Sequence, residues 1–173
     1  MNQLVITIVG KDHPGIVEAL SAVVADHEGN WLSSSMSNLA GQFAGIIEVA
    51  VGDDRREALA SAIGELPGLQ VHSVTGDVST EVGGLPMAEL EVVGVGHPGI
   101  VHRLTEVLKS NGVNLLQFAS WCETAPNTGE ELFRAVAEFE LPGTVDMDSL
   151  QVELEALAED LTVDIELGLE EEG

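Results

Sequence analysis

Hydrophobic residues follow two kinds of spacing along the chain, and the two alternate. Runs of apolar residues, or strict alternation of apolar and polar residues, predict β-strands, whereas apolar residues three and four apart predict amphipathic helices. The first half is predicted to have strands at 3–9, 31–39, 43–51 and 69–76, and helices at 14–28 and 53–66. The predicted order is βαββαβ, with a tight turn near Ala40 and Gly41 between the second and third strands.

The second half repeats this order. It is predicted to have strands at 87–93, 114–122, 132–141 and 162–167, and helices at 98–111 and 146–159. The apolar residues predicted to point inward from the first helix of each half are Ile16, Val17, Leu20, Val23 and Val24, and Ile100, Val101, Leu104, Val107 and Leu108. Asp53 or Asp54 is expected to cap the helix at 53–66, and Gly29 with Asn30 to end the helix at 14–28.

The repeated order is matched by a repeated sequence. HPGIV occurs at 13–17 and again at 97–101, and the same offset of 84 residues relates Leu20 to Leu104 and Asn30 to Asn114. An interval of this length corresponds to a whole domain rather than to a solenoid repeat. We therefore predict domains at 1–78 and 87–173, joined by the linker VSTEVGGLP at 78–86.

A βαββαβ unit of this kind predicts an α+β, ferredoxin-like fold in which two helices cover one face of a four-stranded antiparallel sheet. The opposite sheet face and the sheet edges are then available to a partner. With 45% hydrophobic and only 3% aromatic residues, the two cores are expected to be aliphatic.

Charge limits the range of partners. The chain has 30 acidic and 6 basic residues, a formal net charge of −24, which repels phosphate backbones and anionic membranes. Direct nucleic-acid binding and membrane binding are therefore not expected. The N-terminal apolar run is short and lacks a basic flank, so we expect neither a signal peptide nor a membrane span, and a cytoplasmic protein.

The two HPG segments are the candidate binding elements. Each lies between a strand and a helix, where the first N–H groups of the helix and the positive end of its dipole can receive a carboxylate. Pro14 and Pro98 are expected at the first helical position, Asp12 and His13 at the cap, and Gly15 and Gly99 are expected to leave room for a ligand. A well-formed turn without any ligand is the alternative interpretation.

The same segments resemble the ACT domain family. DHPGIVEAL followed by GNW, and GHPGIVHRL followed by GVNLL, fit the family pattern in both halves, except that Gly96 stands where Asp is usual. The resemblance implies that a small amino acid, glycine being favoured, binds where the first loop of one domain faces the second strand of its neighbour. The implied site residues are Asp12, His13, Pro14, Gly15 and Asn30, and His97, Pro98, Gly99 and Asn114. The absence of Asp at Gly96 puts an equivalent second site in doubt.

The tandem arrangement without a catalytic domain is similar to that of two-ACT proteins that repress transcription through a DNA-binding partner protein. The resemblance therefore implies a non-enzymatic homodimeric regulator without a cofactor. An oligomerisation scaffold with no small-molecule ligand is the alternative. The regulatory end of an enzyme such as a formyltetrahydrofolate deformylase is disfavoured, because no residues remain for a catalytic domain.

Other chemistry has little support in the sequence. The five histidines form no pair with zinc-ligand spacing, since His97 and His102 are five residues apart, so no metal site is expected. Cys122 is the only cysteine and is expected to be a buried thiol in a strand, which excludes an intramolecular disulfide. The sequence contains neither a P-loop nor a GxGxxG motif.

Overall fold

The computed structural model describes residues 2–75 and 85–167. The chain divides into two compact units, Met1–Glu81 and Val82–Gly173. The predicted linker at 78–86 lies outside the described residues except for Leu85 and Pro86.

The first unit has six elements in the predicted order. They are β1 (Asn2–Lys11), α1 (Ile16–Asp26), β2 (Asn30–Leu39), β3 (Gln42–Val51), α2 (Arg56–Gly64) and β4 (Leu69–Thr75). Its strands form one antiparallel sheet in the order β2-β3-β1-β4, so β1 and β3 are central and β2 and β4 are edges. This arrangement confirms the predicted ferredoxin-like fold.

The second unit has the same architecture. Its elements are β5 (Met87–Val95), α3 (Ile100–Ser110), β6 (Asn114–Thr124), β7 (Glu131–Glu140), α4 (Met147–Glu155) and β8 (Thr162–Leu167). The sheet order is β6-β7-β5-β8, again antiparallel throughout. Even a local irregularity is duplicated, since a β-bulge follows Trp31 in β2 and Leu115 in β6, which are 84 residues apart.

Each core lies between the sheet and its two helices. In the first unit, Leu4, Ile6 and Ile8 of β1 are buried against Leu20 of α1 and Leu59 of α2. The second core is formed in the same way, with Leu104, Leu154 and the alternating residues of β7. Both cores are aliphatic apart from a few phenylalanines, as predicted.

Two of the residues predicted to point inward do not do so. Val17 is 45% exposed and Val101 is 38% exposed, although both lie next to a buried isoleucine. Because α1 and α3 begin at that isoleucine, the valine falls on the outer side of the first turn. The prediction was wrong for these two positions.

The helices also begin later than predicted. Gly15 and Gly99 are the N-cap residues of α1 and α3, with φ of 93° and 83°, so Pro14 and Pro98 precede the helices instead of starting them. No side chain caps either helix, so the prediction that Asp12 and His13 cap α1 was wrong. Helix α2 begins at Arg56 with Arg55 as its N-cap, where Asp53 or Asp54 was expected.

The end of α1 also differs from the prediction. The left-handed residue that follows the helix is Glu28, with φ of 53°, whereas Gly29 was expected to end it. In the second unit, Gly112 has the equivalent position and a φ of 73°. Gly29 instead lies in a closely packed position, because a Cβ there would lie 3.0 Å from Val24 and Val49 side-chain atoms.

The sheet face opposite the helices, here called the open face, differs strongly between the units. The strand registers place the following described residues on the open face of the first unit: Val5, Thr7, Val9, Lys11, Ser33, Ser35, Ser37, Leu39, Gln42, Ala44, Ile46, Glu48, Gln70 and His72. On the open face of the second unit lie, in the equivalent registers, Glu89, Glu91, Val93, Val95, Gln117, Ala119, Trp121, Glu123, Leu132, Arg134, Val136, Glu138, Thr162, Asp164 and Glu166. The first open face is mainly apolar and hydroxylic, whereas the second is acidic.

Candidate functional site

The first HPG loop is open to solvent. Asp12, His13, Pro14 and Gly15 are all exposed, between the end of β1 and the start of α1. The loop is held at one point by the Asp12 backbone N–H, which donates to the carbonyl oxygen of Gly41 at 2.9 Å. This bond ties the loop to the β2–β3 turn, where Ala40 and Gly41 both have positive φ. The start of α1 is therefore accessible to a small anion.

Glycine in this loop is required by backbone conformation rather than by lack of space. Nothing lies within 4 Å of where a Cβ on Gly15 or Gly99 would be, so both surroundings are open. The φ values near 90° fall in the region that side-chain-bearing residues adopt only with strain. A substitution at Gly15 or Gly99 would therefore mainly distort the backbone that enters the helix, rather than fill the space that a ligand would occupy.

The second loop has a different electrostatic environment. His97 Nε2 lies 3.5 Å from Asp160 Oδ1, and the Ile100 N–H donates to the His97 carbonyl oxygen at 3.2 Å. The Asp160 carboxylate would repel an incoming carboxylate, and one helical N–H is already occupied. The first loop instead has Lys11 directly before it. The first loop also contains a carboxylate of its own, Asp12, where the second loop has Gly96, so an acidic side chain lies near each loop.

The two asparagines of the predicted site lie far from the loops of their own units. Asn30 pairs with Ala50 in β3, whereas Lys11, which leads into the first loop, pairs with Gln42. Gln42 and Ala50 are eight residues apart along β3, so the first loop and Asn30 are separated by about 27 Å at about 3.4 Å per residue. Asn114 and the second loop are separated in the same way, because Asn114 pairs with Glu140 while Val95 pairs with Leu132. No single unit can bring its loop and its asparagine to one small ligand.

Asn114 lines a cavity of about 500 Å³ on the helix side of β6. His102, Glu106 and Lys109 supply polar groups from α3, and Leu108 and Val113 form part of an apolar lining. Asn30 is exposed at the equivalent position of the first unit. The cavity does not include any residue of the His97–Gly99 turn.

Other candidate chemistry can be placed as well. Within residues 2–75 and 85–167, no three His, Cys, Asp or Glu side chains lie in an arrangement that could hold a metal ion. Cys122 is exposed on the edge strand β6, so the expectation of a buried thiol was wrong. In the same described part of the chain, no helix has the length and apolar character needed to cross a membrane.

An ion-pair network lies on the open face of the second unit. The Arg134 guanidinium contacts Glu123, and its Nη1 lies 3.1 Å from Glu91 Oε1. Hydrogen bonding to Arg134, followed by that to the Trp121 indole N–H, lowers the pKa of the Glu123 carboxyl below its usual value. The positive charge of Arg134 offsets only some of the carboxylates on this face, which remains acidic.

Comparison with known proteins supports the family resemblance. The sequence model of the ACT domain matches residues 2–71. A solved structure of an unknown protein from Galdieria sulphuraria superposes with a TM-score of 0.81 at 28% identity, covering 97% of this chain and 99% of that one. The chain has a tandem ACT-like fold. The resemblance predicted from the HPG segments is thereby confirmed.

A second solved structure matches this tandem ACT-like chain over nearly its whole length. It is named "putative glycine cleavage system transcriptional repressor", and it superposes with a TM-score of 0.65 at 17% identity, covering 96% of this chain and 98% of that one. At this identity the match supports the fold alone. A search of curated proteins finds no match.

Sequence reasoning did not identify Asp160. In the first unit, the carbonyl oxygen of Gly68 faces Gly10 near the end of β1. In the second unit, the carbonyl oxygen of Asp160 faces Gly94 near the end of β5, so Asp160 occupies the position equivalent to Gly68. The offset of 84 residues does not relate Asp160 to Gly68, because the loops that precede β4 and β8 differ. Lys11, in contrast, directly precedes the DHPG segment and can be identified from the sequence.

Proposed function

We propose that the protein is a non-enzymatic regulator that senses a small amino acid through its ACT-like units. The observation that carries this proposal is the ACT domain match over residues 2–71, which contains an exposed strand-to-helix loop and Asn30. The α-carboxylate would be received at the start of α1, and Asn30 of another unit would contact the ammonium group or the side chain.

The ligand we propose is glycine. The structurally similar protein named "putative glycine cleavage system transcriptional repressor" supports this choice. Asp12, His13, Pro14 and Gly15 would form the loop side. His97, Pro98, Gly99 and Asn114 would form a second site, in which Asp160 lies beside His97 and Gly96 stands where the first loop has Asp12.

The regulatory output would pass through a protein partner. A chain with a net charge of −24 is repelled by DNA, so repression of glycine cleavage genes would require a partner that itself binds DNA. The separation between loop and asparagine within each unit favours an assembly in which two units meet, and we propose a homodimer.

Isothermal titration calorimetry with each of the twenty common amino acids tests this function. Saturable heat is expected with glycine or another small amino acid, and Asn30→Ala is expected to weaken binding at least tenfold. The matched control is Gln151→Ala, which removes a side-chain amide from α4, outside the residues of either proposed site. An absence of heat with all twenty amino acids would favour the scaffold alternative.

A further inference from the structure

The open face of the first unit carries little net charge although it belongs to a highly acidic chain. Its described charged side chains are Glu48 and, at one end, Lys11, whose charges cancel. Glu48 Oε2 also accepts a hydrogen bond from Ser33 Oγ at 2.7 Å. The exposed apolar residues on this face are Val9, Leu39 and Ile46, with 43%, 76% and 52% exposure.

The fold itself does not require an uncharged open face. The second unit has the same topology, yet acidic residues take the places of residues that carry no negative charge. Glu89 replaces Val5, Glu91 replaces Thr7 and Asp164 replaces His72 in equivalent registers. Apolar side chains that cluster on one surface of a soluble protein usually mark an interaction site.

This face is large enough for a stable interface. Four strands spaced about 4.8 Å apart, each about 30 Å long, present about 600 Å². Two such faces in contact would bury about 1,200 Å², which is at the lower end of the range for specific protein interfaces.

The shape of the first unit's open face is compatible with packing against a second copy of the same face. Ile46 projects from the central strand β3 between two shallow hollows of about 340 and 330 Å³. Ser35 lines both hollows, while Val5 lies in one and Thr7 in the other. A two-fold related copy could place its own Ile46 in a hollow, which is the self-complementarity that such symmetry demands.

Charge also favours a copy of the same face over an acidic surface. Covering the first open face with the acidic open face of a second unit would remove water from several carboxylates without supplying cations. Two copies of the first open face meet with no net charge on either side. We infer that the first unit's open face is a self-association surface, on which two chains pack sheet against sheet.

This inference rests on the proposed homodimer and specifies the face that forms it, while amino-acid binding is measured separately by calorimetry. The test is sedimentation equilibrium of the full chain at micromolar concentration. The wild type is expected at twice the 18.2 kDa chain mass. Ile46→Glu is expected to weaken self-association at least tenfold, because it would bury two unpaired carboxylates.

Two further variants keep the test decisive. Ser35→Glu places a charge on the same face from the exposed edge strand β2, so it covers the case in which Ile46→Glu does not fold. Val152→Glu adds the same charge at a 65% exposed apolar position on α4, and it should remain dimeric. Raising NaCl to molar concentration should strengthen wild-type association, because it screens repulsion between two acidic chains.

The inference is overturned by a monomeric wild type, by an Ile46→Glu or Ser35→Glu chain that folds and still dimerises like the wild type, or by equal loss of dimer in Val152→Glu. A dimer that dissociates in high salt would also contradict it, since that behaviour indicates attraction between opposite charges. Glycine binding by a chain that stays monomeric would overturn this interface while leaving the proposed sensing function intact.

Discussion

Gly10 is expected to contribute to the stability of the first unit. It lies at the end of β1 just before the HPG loop, and a Cβ at this position would lie 2.3 Å from the Gly68 carbonyl oxygen and 2.8 Å from Leu69 Cδ2. Since an ordinary contact needs about 3.4 Å or more, Gly10→Ala would push the Gly68 backbone away by about 1 Å. A backbone carbonyl cannot rotate aside as a side chain can.

The size of the effect follows from two opposing contributions. Overpacking costs about 1–3 kcal/mol, while the smaller conformational freedom of the unfolded alanine chain returns about 0.4–1 kcal/mol. Gly10→Ala should therefore lower the free energy of unfolding by about 1–2 kcal/mol. Gly94→Ala, the equivalent change in the second unit, should cost less, because the nearest atoms there are at 2.9 Å.

Urea denaturation followed by circular dichroism measures these differences, and hydrogen exchange shows which unit loses protection. The control is Gly143→Ala, at a position with open space around it, where little loss is expected. Equal stability of Gly10→Ala and Gly143→Ala, or a larger loss in Gly94→Ala than in Gly10→Ala, would refute the packing account.

Two further predictions concern the helix ends. Gly112→Glu should destabilise the second unit by about 0.5–1 kcal/mol in urea denaturation, because it places a side chain on a left-handed backbone. Glu28→Gly relieves such a backbone in the first unit but also removes the exposed ion pair between Glu28 and Arg55, so it should stabilise that unit by a smaller amount. Loss of stability in both variants would contradict this. Asp146 caps α4, and hydrogen bonds from Ser149 lower the pKa of its carboxyl, so its contribution is present above the ordinary Asp pKa and is lost as pH falls through the lowered value. Thermal melts should therefore show Asp146→Ala less stable than the wild type at pH 7, with the difference shrinking below about pH 4; a difference that does not depend on pH would refute the assignment.

Much of the fold could be predicted because the hydrophobic spacing is regular. Strand β8 was predicted at its observed bounds, and the buried alternation of Phe133 and Ala135 in β7 followed directly from the sequence. Helix starts were less accurate, since the proline of each HPG segment suggested a first helical position. The left-handed Gly15 and Gly99 delay the helices, and a left-handed conformation cannot be read from composition alone.

The candidate site was only partly predictable for a different reason. The sequence named the loop residues and the asparagines, but it could not give the separation between Asn30 and the Asp12 loop, which depends on strand register. The Asp160 carboxylate near His97 comes from a distant loop, and no local motif marks it. The structure therefore adds the separation between loop and asparagine within each unit and the difference between the two loops.

The central claim is that an amino acid bridges the loop of one unit and the asparagine of another. Nitrogen-15 NMR titration of the full chain with glycine tests this directly. We expect saturable shifts of the Gly15 and Ile16 amide signals together with the Asn30 side-chain amide, although these groups lie at opposite ends of one unit, while Gly143 should not shift. Shifts confined to one end, or none at saturating glycine, would contradict the account.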